Sequence, residues 1–313
     1  MLESNEKELV SVLLPVYNGE AYILQLLNSI KRQNYRPVEL IISDDNSTDK
    51  TVEIIEKWIM KNRNDISIKL LKGRKNIGLS GNFSRMLRHI NGEFVFIADQ
   101  DDIWNYNKVR EQVTYLDHNQ ECIVCICDRA IIDGEGRMLQ KSEAAYLKRR
   151  KDKMKFEQVI CEPSIYAANC MVLRKNHFSD IFIIPKEICE HDTYLATMAS
   201  FYGKIGFMQK VLLKYRIHNN NLSGSYGLET TKNLITCLRI RMKVNKKIER
   251  VKLYDGIIIA DMIKKKYNVD IYARNNKLVN NEKHNILVES LKDVVMASME
   301  NRINCFYKNK HRN

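Results

Sequence analysis

The chain is poor in structure-breaking residues. Only 4 of its 313 residues are proline and 12 are glycine, so no long disordered or linker-like tract is indicated. No run of about 18 apolar residues exists. The nearest, Gly256 to Ile263, is far too short and contains Asp261, which excludes an obvious membrane-spanning helix. The first ten residues, Met1 to Val10, are largely charged or polar, unlike the apolar core of a secretory signal. Both absences point to the cytoplasm. The eight cysteines are then expected as reduced thiols. Cys122, Cys125 and Cys127 lie in one strand-like run with no partner pair at zinc-site spacing, so buried thiols are the expectation. No G-x-G-x-x-G follows the first apolar run and no G-x-x-x-x-G-K-[ST] occurs. Those gaps argue against a dinucleotide-binding dehydrogenase and a P-loop NTPase.

What is present begins with charge. The formal net charge is +13, and residues 229–313 hold 19 Lys/Arg against 9 Asp/Glu, a surplus of 10 out of that 13. So uneven a distribution suggests an anionic partner for the tail, a membrane surface or nucleic acid.

The chain is organised around Phe94-Val-Phe-Ile-Ala-Asp-Gln-Asp-Asp-Ile-Trp104. Its apolar run does not alternate, as expected of a strand buried on both faces. Three carboxylates, Asp99, Asp101 and Asp102, follow within four positions, at the strand end where open α/β sheets place ligands. Like charges so close need a reason to stay there. A hard divalent cation such as Mg2+ or Mn2+ supplies one; a solvated acidic turn, or Asp102 capping a helix that begins near Asn105, is the alternative.

Read in order, Leu9 to Val16 is a first strand with Pro15 at its end, followed by the turn Tyr17-Asn18-Gly19. Glu20 to Gln33 has helical spacing, with Leu24, Leu27 and Ile30 on one face. Val38 to Ser43 is a second strand that ends in the polar run Asp44 to Asp49. Thr48 or Asp49 could cap the helix that runs to about Asn62. A third strand spans Ile66 to Leu71; the basic loop Lys72 to Gly78 and a short helix, Ser80 to His89, come next. The fourth strand is Glu93 to Ala98. Strands alternating with helices predict βαβ units and a mainly parallel sheet. Right-handed crossovers bring the strand ends to one rim. Tyr17-Asn18, Asp44-Asp45 and the Asp99 cluster meet there beside Lys75, as in a nucleotide site with a metal on its phosphates.

Leu-Leu-Pro15-Val-Tyr17-Asn18-Gly19, Ile-Ser-Asp44-Asp-Asn-Ser-Thr-Asp49, Asn76-Ile-Gly78 and Asp99-Gln-Asp101-Asp102-Ile-Trp104 resemble, in order and spacing, the motifs of family 2 glycosyltransferases. The match continues more weakly through Glu190-His191-Asp192 and Tyr215-Arg216-Ile-His218-Asn219, covering about residues 8–225. The Asp-Gln-Asp-Asp-Ile-Trp form, with His-Asp and Tyr-Arg-x-His later, looks most like the rhamnosyltransferase-like branch that builds bacterial surface polysaccharides. The resemblance implies a GT-A fold, with a Rossmann-like, mainly parallel sheet flanked by helices. It divides the chain into a catalytic domain over residues 1–228 and a basic helical extension over 229–313. The nucleotide-sugar half would span about 8–128 and the acceptor half about 129–228. The implied activity is inverting, metal-dependent transfer of one sugar, such as rhamnose from dTDP-rhamnose, to a glycan or lipid-linked glycan. A UDP-hexose donor is the alternative.

Residue by residue, the resemblance makes Asp99 and Asp101 the D-x-D pair. Asp101 would bind Mg2+ or Mn2+ directly, Asp99 would face the donor or the metal, and His218 would be a third ligand or a phosphate donor. Pro15, Tyr17 and Asn18 would line the nucleotide pocket with Asn76 and Gln100. Asp44 would accept from the pyrimidine base, unless it only closes an Asx-turn. Tyr17 would stack on the base, unless it is ordinary core. Lys75 and Arg216 would meet phosphate, and Asp102 the donor sugar. Asp192 would be the base that deprotonates the acceptor hydroxyl, with Glu190 left as its rival because His191 stands where many relatives carry an acid. Gly203 to Tyr215 reads as two short strands, Tyr166 to Leu173 as another, and Asn219 to Ser225 as a loop over the donor. The Q-x-x-R-W signature of processive synthases is absent, so one sugar per encounter is expected.

The tail carries no catalytic signature. Leu234, Ile235, Leu238, Ile240 and Val244 interleave with Arg239, Arg241, Lys243, Lys246 and Lys247, and Lys264 to Lys266 form a second basic cluster. This reads as a basic amphipathic helix, either on the inner membrane face or packed on the catalytic domain. A sugar-phosphate nucleotidyltransferase is disfavoured because Pro15-Val-Tyr-Asn-Gly19 replaces its glycine-rich loop. A nucleic-acid-binding module is disfavoured because the tail's aromatics are scattered and the carboxylate clusters would go unexplained.

Overall fold

The structure is a computed structural model and describes residues 7–143, 153–154, 167–175 and 191–218. Strand β1 (Val10–Val16) is Val- and Leu-rich and buried along its whole length. It pairs in parallel with β2 (Val38–Asp44) on one side and β4 (Phe94–Ile97) on the other. β3 (Ser67–Lys72) lies outside β2, also parallel, with the alternating exposure of an edge strand. The registers place Val16 opposite Asp44 and Leu13 opposite Ile97, so the polar loops after β1, β2 and β4 all leave from one rim. This parallel half is the one expected from the βαβ spacing.

Past β4 the direction changes. β9 (Met171–Arg174) is inserted antiparallel between β4 and β6 (Cys122–Ile132). β10 (Lys204–Arg216) runs parallel to β6, and β5 (Ile103–Trp104) pairs antiparallel to β10 at the far edge. β7 (Met138–Gln140) pairs with β6, and β8 (Lys153–Met154) with β10, completing a 10-stranded sheet ordered β3-β2-β1-β4-β9-β6-β10-β5 with those two strands off the path. The two short strands expected over Gly203 to Tyr215 are one strand of 13 residues. Its register against β6 shifts around Met208 to Leu213, where Gln209 and Lys210 are exposed. That polar bulge mimics a break in the sequence.

Helices α1 (Ile23–Lys31), α2 (Thr51–Asn62), α3 (Gly78–Leu87), α4 (Lys108–His118) and α5 (His191–Tyr202) accompany the sheet. In α1 the buried stripe is Ile23, Leu26, Leu27 and Ile30. Leu24, expected on that face, is 47% exposed, because Ile23 rather than Leu24 completes the i, i+3, i+4, i+7 pattern. Each fully buried Leu, Ile or Phe in these stripes contributes about 1.5–3 kcal/mol. The Trp58 indole N–H of α2 donates to Asn28 Oδ1 of α1 at 2.9 Å, fixing one helix on the other. Asp49 accepts from the Thr51 N–H at 2.9 Å at the start of α2; Thr48 instead donates its N–H to Asn18 Oδ1 at 2.8 Å. Asp102 caps no helix, since α4 begins only at Lys108 and Ile103–Trp104 are strand. Cys122, Cys125, Cys127 and Cys170 are free and buried, as expected.

The sheet is pinned at the end away from the rim. The Glu39 carboxylate accepts from Ser11 Oγ at 2.5 Å, from the Asn91 N–H at 2.8 Å and from Asn91 Nδ2 at 2.9 Å. Burial pushes its pKa up, but these hydrogen bonds outweigh that and leave it lowered. A Cβ on Gly92 would lie 2.5 Å from the Ser11 backbone nitrogen, so only glycine lets this turn press against β1.

Among the described residues, no helix is long and apolar enough to cross a membrane. Glu190, the Asn219 to Ser225 loop, Tyr166 and the basic tail 229–313 lie outside the described residues.

Candidate active site

The loops at the rim hold one another by side chain to backbone bonds. Gln100 and Tyr17 clamp reciprocally: the Tyr17 N–H donates to Gln100 Oε1 and Gln100 Nε2 to the Tyr17 carbonyl, both at 2.9 Å. This ties the end of β1 to the loop after β4. A Cβ on Gly19 would fall 2.5 Å from Gln100 Oε1, so the clamp requires glycine there. Asn18 sits at φ 48°, donates its N–H to Ser47 Oγ at 3.0 Å and accepts from Thr48. It therefore joins the first loop to the second, and its side-chain oxygen is used within the protein.

Asp44 is buried and accepts from the N–H groups of Asn46 (3.1 Å) and Ser47 (3.2 Å). The structure thus shows the Asx-turn geometry at the end of β2. Asp45, which sequence reasoning did not single out, accepts from the N–H groups of Ile77 (2.9 Å) and Gly78 (2.8 Å). It anchors the third loop, where Asn76 Oδ1 also accepts from Gly78 at 3.0 Å. Lys75 and Asn76 are exposed on that loop. Pro15 is buried in β1 opposite Ser43. The Tyr17 side chain is 45% exposed. It is therefore not ordinary core, and its ring stands at the rim.

The acidic loop has three unlike carboxylates. Asp101 Oδ2 lies 2.8 Å from His218 Nε2, with both side chains mostly covered yet reaching solvent. Asp99 is half-buried. Its pKa is pushed up to about 7, first by burial and then by the Asp101 charge; Asp192 adds to this and Arg129 opposes it. The Asp192 influence puts the first turn of α5 within electrostatic reach of the loop. Asp102 is fully buried and accepts from Asn169 Nδ2 at 2.6 Å and from the Arg216 N–H at 3.3 Å. Burial, then Asp99 and Asp101, hold its pKa well above the usual carboxylate range. The Asp102 carboxylate therefore faces inward, toward Asn169 and the Arg216 backbone.

Arg216 is buried as well. It is 1% exposed, and its guanidinium donates to the carbonyls of Asp101 (3.0 Å), Asp133 (3.2 Å) and Gly134 (3.1 Å) and to Gln25 Oε1 (2.7 Å). It also lies 4.5 Å from the centroid of the Tyr22 ring. Carbonyls inside the protein have taken the donors expected to reach phosphate. Only His218, two residues on, reaches the rim; its ring is 4.8 Å from that of Tyr22. Sequence reasoning also missed Arg129, Glu143 and Asn169. A signal existed for Arg129, a charge inside the otherwise apolar run Cys122 to Ile132, which demanded a buried partner.

A divalent cation fits this rim. Among the described residues no three His, Cys, Asp or Glu side chains close into a metal cage. Asp101 and His218 do converge. A site with one or two protein donors and open positions for phosphate oxygens and water suits Mg2+ or Mn2+.

Comparison with known proteins places the whole arrangement. Residues 1–349 of Staphylococcus aureus TarS, solved with UDP-GlcNAc, superpose with a TM-score of 0.58 at 21% identity, over 90% of this chain and 71% of that one. A mannosyltransferase from Pyrobaculum calidifontis, solved with GDP-Man and Mn2+, gives 0.53 at 14% identity, over 95% and 88%. The sheet flanked by helices is therefore a GT-A fold. The sequence model of glycosyl transferase family 2 matches residues 11–182, more than half of the chain. The chain belongs to that family. In sequence, an uncharacterized protein of Mycobacterium bovis is 29% identical over 215 residues, 68% of this chain and 60% of that protein. The poly(ribitol-phosphate) beta-N-acetylglucosaminyltransferase TarS is 34% identical over 119 residues, 37% of this chain and 20% of that protein. The chain spans 60% or less of the length of these two relatives.

Proposed function

We propose that this chain is an inverting glycosyltransferase that moves one sugar per encounter from a nucleoside diphosphate donor to a glycan or lipid-linked glycan hydroxyl. The observation that carries this reading is the convergence of Asp101 and His218 at 2.8 Å, beside Asp99 and the first turn of α5, on the carboxyl rim of the parallel strands. Tyr17 offers an exposed ring to the base, and Asp44 a carboxylate close by. Asp101 and His218 would hold Mg2+ or Mn2+, which supplies Lewis-acid stabilisation of the departing diphosphate. Asp99 orients the donor. Asp192 takes the proton from the acceptor hydroxyl as its oxygen forms the new bond to the anomeric carbon and the bond to the nucleotide diphosphate breaks. Attack from the opposite face gives inversion with no covalent enzyme intermediate. Asp192 serves as base in this reading on the family motif that Glu190-His191-Asp192 resembles, and it lies in the first turn of α5.

Rhamnose from dTDP-rhamnose is the finer reading, supported by the Asp-Gln-Asp-Asp-Ile-Trp motif. A UDP-linked N-acetylhexosamine is the second reading, favoured by the solved complex of TarS with UDP-GlcNAc. The basic tail would serve a peripheral membrane location near a lipid-linked acceptor. Calorimetric titration with dTDP and with UDP, each with and without Mn2+, tests the reading. Metal-dependent binding that Asp101→Ala abolishes is expected, and the tighter nucleotide selects the donor. Failure of both nucleotides to bind, with or without metal, would overturn it.

A further inference from the structure

The side chain of Asn169 has no role in the chemistry just described, yet it occupies the centre of a buried polar chain. It is 1% exposed and lies on a single 3-10 turn, Ala168–Cys170, that leads directly into β9. β9 runs antiparallel to β4 with Val172 opposite Phe96 and Leu173 opposite Val95. Continuing that register brings Asn169 beside Asp99, where the acidic loop leaves the sheet. Asn169 Nδ2 donates to Asp102 Oδ2 at 2.6 Å. Its Oδ1 accepts from Arg129 Nη1 at 3.4 Å.

Arg129 is itself fixed. Its Nε and Nη2 donate to the two Glu143 oxygens at 2.7 and 3.0 Å, and its guanidinium carbon stacks 4.2 Å from the centroid of the Tyr215 ring. Among the described residues, the side-chain hydrogen bonds of Arg129 run to Glu143 and Asn169. A side chain between a carboxylate and a guanidinium must donate to one and accept from the other. An amide does both without adding charge. A carboxylate at this position would add one more acid to Asp99, Asp101 and Asp102, and an alkyl group would leave buried polar atoms unsatisfied on both sides.

We propose that Asn169 is a positioning residue of the donor site: by bridging Asp102 to Arg129 it holds the acidic loop in the shape that turns Asp102 inward and Asp101 outward, toward His218 and the metal. This inference rests on the function proposed above. The fixed point is the β9 turn, and the loop is shaped against it. Removing the amide frees Asp102 to swing, and Asp101, one residue away, loses its alignment with His218.

The test is Mn2+ binding by the full chain in the presence of UDP, read by water-proton relaxation, alongside the thermal unfolding midpoint. Asn169→Ala is expected to weaken Mn2+ binding by about 10- to 100-fold, the effect typical of residues that orient metal ligands, while the variant stays folded at the assay temperature. An unchanged Mn2+ affinity with only a lowered midpoint would mean that Asn169 merely packs, and would overturn the proposal. If Asn169→Ala does not fold, Asn169→Ser retains a hydroxyl donor and is read in the same way. Its expected loss is smaller, about 3- to 10-fold, and no loss overturns the proposal. A wild-type chain that holds no Mn2+ with UDP would overturn the metal reading, and this inference with it. That result appears before any variant is compared.

Discussion

The two halves of the sheet satisfy their polar groups in different ways. In the parallel half, built on β1, β2 and β4, rim side chains bond to backbone amides: Asp44 to Asn46 and Ser47, Asp45 to Ile77 and Gly78, Gln100 to Tyr17. In the mixed half, built on β6, β9 and β10, buried polar groups also bond to other side chains: Arg129 to Glu143 and Asn169, Asn169 to Asp102, Arg216 to Gln25. Backbone amides are always present, so the first arrangement tolerates loss of one partner. The second leaves a buried charge stranded when a partner goes.

The sharpest break is expected at Arg129. Arg129→Met leaves Glu143 without its cation in a site where both side chains are about nine-tenths covered. Loss of one partner from such a pair costs about 3–5 kcal/mol, and urea unfolding would read it. A loss below about 1 kcal/mol would show that this half relaxes as easily as the other. Next comes Gly19→Ala, in the parallel half. Its Cβ would collide with the Gln100 amide, and the clamp to Tyr17 must open or shift. Overpacking of this kind costs about 1–3 kcal/mol, and the nucleotide affinity should fall with the stability.

The smallest effect sharpens the comparison through pH. The folded pKa of Glu39 is depressed, so its contribution is fully present above the unfolded value, 4.5, and is lost as pH falls through the folded one. Glu39→Gln should cost about 1 kcal/mol at neutral pH, as for one net hydrogen bond, and should flatten the acid limb of stability below about pH 5. An acid limb unchanged by the substitution would remove Glu39 from the account.

The same contrast explains what sequence could reveal. The parallel strands, their helices and the rim loops follow from apolar runs, turn residues and spacing, because each is decided within about ten residues. Asp101 and His218, both singled out from the family motifs, lie 2.8 Å apart. The inward turn of Asp102 was not foreseen, because it depends on Asn169, 67 residues away. Nor was the burial of Arg216, which depends on Gln25, 191 residues away. The antiparallel insertion of β9 likewise follows from a pairing that no local pattern announces. Leu24 failed for a local reason: two neighbouring leucine-type residues compete for one stripe, and periodicity alone did not choose between them.

The Gln100 amide has a mechanical meaning as well. It spans two parallel strands whose register is already set, and so closes a rigid frame between the Tyr17 ring and the Asp101 carboxylate. The ordering cost of that frame is met when the chain folds, before any ligand arrives. A molecule that touches both ends must match a span it cannot adjust. If the rim holds the donor as proposed above, it acts as a caliper with fixed jaws, set by the Gln100–Tyr17 bonds.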